Sequence, residues 1–140
     1  MKLITRHTAY AVGAILFAAK SKEDIISVEK FFKGTNIPRA FLRKILQILS
    51  KKKIFKSFKG KEGGFCLEVD PKKILLIDIA NIFQGRLKIS ECFFRKKLCS
   101  NQSTCALKMK IDHIEKIVIR ELETVTIGSF LKDKKKGRKK

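Results

Sequence analysis

Acidic residues and histidine are scarce in this chain: 13 Asp and Glu stand against 33 Lys and Arg, and 140 residues hold two histidines. That is a thin inventory for acid-base work. No Ser-His or His-carboxylate pairing has a sensible local context, which argues against an enzyme. The four cysteines make no Cys-x-x-Cys pair, the knuckle that zinc modules and thioredoxin-like sites use. The glycines do not fall in the G-x-x-x-x-G-K spacing of a phosphate-binding loop. No apolar run is long enough to span a bilayer. One stretch mimics an export signal, because Lys2 and Arg6 precede an apolar run from Ala9 to Ala19 that ends in small residues. The run is short, Arg6 and His7 lead straight into it, and it also reads well as a helix. A cytoplasmic protein with reduced thiols is therefore expected, with no membrane partner and no small-molecule substrate.

What the chain does have is positive charge. Its formal net charge is +20 and its isoelectric point is near 10.1, yet 44% of its residues are apolar. It can build a core, so it is no disordered polycation. Such an excess repels itself and is ordinarily compensated by a polyanion, nucleic acid above all. The last nine residues carry seven bases and one acid. They read as a disordered basic tail over 132–140, and the remainder still keeps a net +14.

Patterning along the chain predicts a helix over Thr5–Lys20, with Leu3, Tyr10, Ala11, Ala14, Ile15 and Ala18 recurring near the helical period. Ser27 is placed to cap a short helix through Phe32. Gly34-Thr35-Asn36 makes a turn, and Pro38 stands where a first-turn proline is tolerated. A second helix then runs to about Lys52 with Phe41, Leu42, Ile45, Leu46 and Leu49 on one face. Two helices joined by a short glycine-containing turn form a helix-turn-helix.

The other face of that second helix carries Arg39, Arg43, Lys44 and Gln47, with Lys51 to Lys53 at its end. Arg and Gln there can reach base edges in a major groove, whereas Lys suits phosphate; an ordinary solvated charged face is the bland alternative. Ile54–Phe58 and Phe65–Val69 read as strands around a glycine-rich loop, a wing on which Lys56, Lys59 and Lys61 are candidate phosphate contacts. Cys66 on the second strand reads as core or incidental. A buried helix over Ile74–Phe83 with Gly85 as its C-cap comes next. Beyond Cys105, Leu107, Ile111, Ile114, Val118, Leu122 and Val125 mark a long amphipathic helix. Its stripe exceeds what a small winged-helix core needs, so it is expected to pair across a two-fold homodimer. Thr126–Leu131 is read as a last turn.

Between those helices, C-FFRKKL-C-SNQST-C places Cys92, Cys99 and Cys105 on one short loop. Thiolates so grouped can bind a soft metal or an iron-sulfur cluster. Unligated reduced cysteines, or zinc, are the other readings.

In this order the pieces resemble the Rrf2 family of bacterial winged-helix regulators. The likeness is carried by M-K-L-I-T-R with Y-A-V after it, I-P-R-A-F-L-R-K-I-L-Q-I-L, K-G-K-E-G-G-F, I-L-L-I-D-I, and the C-x6-C-x5-C loop followed by a long helix. The resemblance implies a mainly α fold with a small β-wing, a winged helix-turn-helix, plus a long C-terminal dimerisation helix. It divides the chain into a DNA-binding domain over 1–85, a cluster-binding loop over 86–105, a dimerisation helix and last turn over 106–131, and the tail. It implies that Cys92, Cys99 and Cys105 ligate an iron-sulfur cluster, 2Fe-2S more readily than 4Fe-4S. Arg39, Arg43 and Lys44 occupy recognition-helix positions, and Lys59 the wing base. The fourth ligand departs from the family pattern. One branch places a histidine where this chain has Lys108, and another places an acid at a position matching Ala9. His7, reaching across the dimer, is the remaining candidate ahead of His113.

The implied function is a sequence-specific transcription regulator, usually a repressor, on a double-stranded operator. It would sense iron-sulfur, redox or nitric oxide status and be associated with a bacterial nucleoid. A constitutive DNA-binding regulator with zinc or no metal, or a basic RNA-associated protein, are the competing readings.

Overall fold

The computed structural model describes residues 3–88 and 106–131. Five α-helices and one hairpin follow in the order α1 (Arg6–Lys20), α2 (Val28–Gly34), α3 (Arg39–Lys51), β1 (Phe55–Phe58), β2 (Gly64–Leu67), a 3-10 turn at Pro71–Lys73, α4 (Leu76–Gln84) and α5 (Ala106–Glu123). The fold class is the expected one, mainly helical with a two-stranded antiparallel wing.

The first helix starts where Thr5 Oγ1 accepts from the Thr8 amide, and it buries Ala11, Ala14, Ile15 and Ala18 completely or nearly so. Alanine at three of those four positions lets the neighbouring helices approach closely, and α1 packs against α2, α3 and α4. Leu3, assigned to this stripe from sequence, instead precedes the helix and is exposed; its carbonyl accepts from Gln84 Nε2 at 2.9 Å.

Ser27 caps α2 by accepting from the Lys30 amide at 3.2 Å, as its position suggested. Thr35 closes that helix, its hydroxyl donating to the Phe31 carbonyl at 2.7 Å. Pro38 is the residue just before α3, and its carbonyl accepts from the Phe41 and Leu42 amides. Leu42, Ile45, Leu46 and Leu49 turn into the core.

At the far end of α3, Lys53 takes a left-handed conformation with φ of 65°, and the Ile54 amide donates back to Leu49. This reversal feeds the chain into β1. In the hairpin Phe55 faces Leu67 and Phe58 faces Gly64. A further backbone pairing lies beside it: Ile26 and Phe65 exchange two hydrogen bonds of 2.8 Å. The segment leading into α2 is thereby stitched to the wing, which periodicity in so short a stretch could not reveal.

Two expected boundaries shift. Ile74 and Leu75 are extended rather than helical, so α4 begins at Leu76; Gly85 caps it with φ of 73°. Val125 lies beyond α5, and Thr126 pairs with Leu75 while its carbonyl accepts from the Ser129 amide at 3.2 Å, opening the expected last turn. Leu76 donates to the Val125 carbonyl at 2.9 Å, and Ile127 donates to that of Ile74 at 2.8 Å. A backbone pairing has taken both segments because each holds a core residue: Ile74 is nearly buried and Ile127 entirely so, in the same cluster as Ile15 and Phe31. That last turn becomes helical at 129–131. A smaller cluster of Ile77, Leu87 and Leu122 ties α4 to α5.

Candidate nucleic-acid interface

Because Leu42, Ile45, Leu46 and Leu49 recur at helical spacing and turn inward, α3 must present its opposite side outward, and Arg39, Arg43, Lys44 and Gln47 are all exposed. Arg39, Arg43 and Gln47 are spaced by four residues and line one ridge. No acidic residue occurs within the helix. A face of two guanidiniums, an ammonium and a carboxamide can donate to phosphate and read the acceptor edges of bases.

Arg39 has an environment that sequence did not disclose. Its Nη1 and Nη2 donate to the two carboxylate oxygens of Glu29 at 2.9 and 2.6 Å, and its guanidinium lies over the Phe32 ring, 4.0 Å from the centroid. The hydrogen bond from Arg39 holds the Glu29 carboxyl below the usual carboxylate range, with help from the charges of Arg39, Lys33 and Arg43. The same hydrogen bond raises the Arg39 guanidinium further. The signal was available in principle: Glu29 precedes Arg39 by ten residues, across a turn that folds α2 back on α3.

The hairpin begins directly after α3 and packs on it. Lys56, Lys59 and Lys61 are exposed on it, with the Lys56 ammonium over the Phe58 ring. Gly60 turns the tip with φ of 103°. A Cβ on Gly63 would lie 2.2 Å from the Phe58 carbonyl oxygen, and one on Gly64 would lie 2.3 Å from that of Ile26. Close backbone approach therefore explains the glycine pair, in keeping with a hairpin and not a phosphate loop. Cys66 is half-buried on β2 opposite Lys56.

Cys92, Cys99 and Cys105 lie outside the described residues, as does the tail over 132–140. Among the described residues no group of three or more His, Cys, Asp and Glu could hold a metal ion. By sequence the three thiols fall within one short segment, a donor set whose chemistry fits a soft group. His7 is half-buried and packs edge-on against Phe41 of α3, ring centroids 5.0 Å apart. Lys108 pairs with Asp112 at 2.8 Å, and His113 is exposed on α5. That helix also exposes Leu107, Met109, Ile114 and Ile117.

A polar clasp that patterning missed lies between the N-terminal segment and α4. The fully buried Thr8 donates its hydroxyl to Gln84 Oε1 at 2.6 Å, and the Thr5 amide donates to the same oxygen at 2.9 Å. No helix among the described residues is long and apolar enough to cross a membrane.

Residues 4–133 match the family model for Rrf2, an iron-dependent transcriptional regulator. The chain is 30% identical over 126 residues to an HTH-type transcriptional regulator of Aquifex aeolicus, covering 89% of this chain and 85% of the relative. It is 25% identical over 136 residues to the HTH-type transcriptional regulator NsrR of Bacillus subtilis, covering 96% and 92%. In fold it is similar to T. potens IscR, with a TM-score of 0.71 at 22% identity over 95% of this chain and 88% of that one.

Proposed function

The chain belongs to the Rrf2 family of transcriptional regulators, and from that premise we propose that it is a homodimeric repressor whose grip on an operator depends on an iron-sulfur cluster held by Cys92, Cys99 and Cys105. The observation that carries the DNA-binding part is α3, apolar inside and presenting Arg39, Arg43, Lys44 and Gln47 outside, beside a hairpin tipped with lysines. In this reading α3 enters the major groove, Arg43 and Gln47 address base edges, and Lys44, Lys59 and Lys61 hold phosphates. The exposed apolar residues of α5 support pairing with a second copy, which would set two recognition helices on half-sites about one helical turn apart.

Three thiolates make the loop a ligand set for a soft group, and the family's iron dependence favours iron over zinc. A bound cluster would supply a redox couple and a target for nitric oxide or oxygen. The protein's part is to hold the thiolates between the DNA-binding head and α5, so that a change at the loop alters how the two heads of a dimer are spaced.

Two measurements on anaerobically purified full-length protein test this. Iron, sulfide and the visible spectrum should all collapse in Cys92→Ala, Cys99→Ala and Cys105→Ala; colourless, iron-free wild-type protein would leave a constitutive DNA binder with zinc or no metal. Duplex affinity at matched salt should differ between holo and apo forms, and equality would reject the sensing role while leaving DNA binding intact.

A further inference from the structure

We propose that Glu29, an acid on α2, is a specificity-determining positioning residue: it fixes the Arg39 guanidinium at the leading end of the recognition helix so that Arg39 addresses one chosen contact on the duplex. This rests on the reading of α3 as the recognition helix.

Arg39 is the first residue of α3. A cation there opposes the positive end of the helix dipole, so the position gains nothing for the helix itself. What holds the side chain is the forked pair to Glu29 and the face of Phe32, both from α2. A guanidinium has five N–H donors, and the pair to Glu29 engages one from each terminal nitrogen. The outer N–H of each terminal nitrogen and the Nε–H stay available on edges that the carboxylate does not cover.

Both side chains are about half exposed, at 52% and 48%. The pair is therefore open to an approaching duplex, and like other exposed pairs it contributes little to folding. A carboxylate at this place also works against binding a polyanion in general. Glu29 stands among Arg39, Lys33 and Arg43, where it weakens a field that would hold any sequence. An acid that disfavours indiscriminate binding and simultaneously aims an arginine raises the difference between right and wrong sites, which is what specificity consists of.

The experiment uses a duplex selected by the wild-type protein from a randomised library, with a scrambled duplex of the same composition as the reference. Glu29→Gln should bind the scrambled duplex more tightly without gaining on the selected one, so that the ratio of the two affinities falls about tenfold. Glu29→Asp keeps the charge but shortens the reach, and should lower the ratio too. In an Arg39→Ala background, Glu29→Gln should leave the ratio where Arg39→Ala put it, because the acid acts through the arginine. An equal gain on both duplexes would show a purely electrostatic role and overturn the inference. Arg43→Ala with Lys44→Ala is the control. If it weakens binding while Glu29→Gln leaves the ratio unchanged, only the present inference fails; if it binds like wild type, α3 does not face DNA and both fail.

Discussion

Glu29 gives up its proton more readily than an ordinary carboxyl because Arg39 hydrogen-bonds the charged form. A depressed folded-state pKa means that the pair's contribution to the fold is complete above the unfolded carboxyl's pKa and is lost as pH falls through the lower, folded value. Titrating the side-chain carboxyls by NMR should therefore place Glu29 below its unpaired value, and Arg39→Gln should move the midpoint up; an unmoved midpoint would mean the pair does not form in solution. Lys53 is the other residue under tension. It holds a left-handed backbone with φ of 65°, a conformation costing a non-glycine residue about 1 kcal/mol. Lys53→Gly should raise the free energy of unfolding by about 0.5 to 1 kcal/mol, read as a higher urea midpoint, where glycine in a regular helix would lower it. Sequence alone counted Lys53 among the helix-end phosphate contacts, since nothing in a three-lysine run says which one turns the chain.

At the scale of elements, the exposed large apolar residues that lie in helices, among the described residues, are all on α5. Leu107 is 70% exposed and Ile117 44%, and Ile114 lies on the same side at 38%. If that side meets its counterpart in a second copy, Ile114→Glu places a charge in an apolar interface and should weaken the dimer at least about a hundredfold, some 3 kcal/mol. Light scattering on a size-exclusion column would report a halved mass, and a wild-type chain already monomeric would dismiss the pairing. The clasp between the N-terminal segment and α4 makes a different claim. Thr8→Val keeps the shape but removes the hydroxyl that reaches Gln84, which should cost about 1 to 2 kcal/mol in chemical denaturation. Helices α1, α3 and α5 were legible from their 3.6-residue period, and the wing from glycines between apolar segments. The clasp was not, because a threonine in an apolar helix announces nothing about a glutamine 76 positions later.

For the molecule as a whole, the exposed basic face of α3 and the exposed lysines of the hairpin could be picked out in the sequence, because charge and glycine each have a local signature, while Cys92, Cys99 and Cys105 lie outside the described residues. Pairings between distant segments could not. Ile26 meets Phe65, and Leu75 meets Thr126, through backbone atoms that every residue shares. The second pairing matters most, since it seats Ile127 in the head's main core with no exposed surface. Ile127→Ala should destabilise the head by about 3 kcal/mol, visible as one cooperative loss of helical signal and of duplex binding. A loss confined to α5, with the head intact, would show that the segment is only draped over the surface.

That seating also bears on how the chain completes its fold during synthesis. The head's interior is unfinished until the stretch holding Ile127 has left the ribosome, so a nascent chain halted anywhere upstream carries α3 without its last core plug. A fragment that stops upstream of Ile127 is expected to be basic and to leave part of that interior open to water.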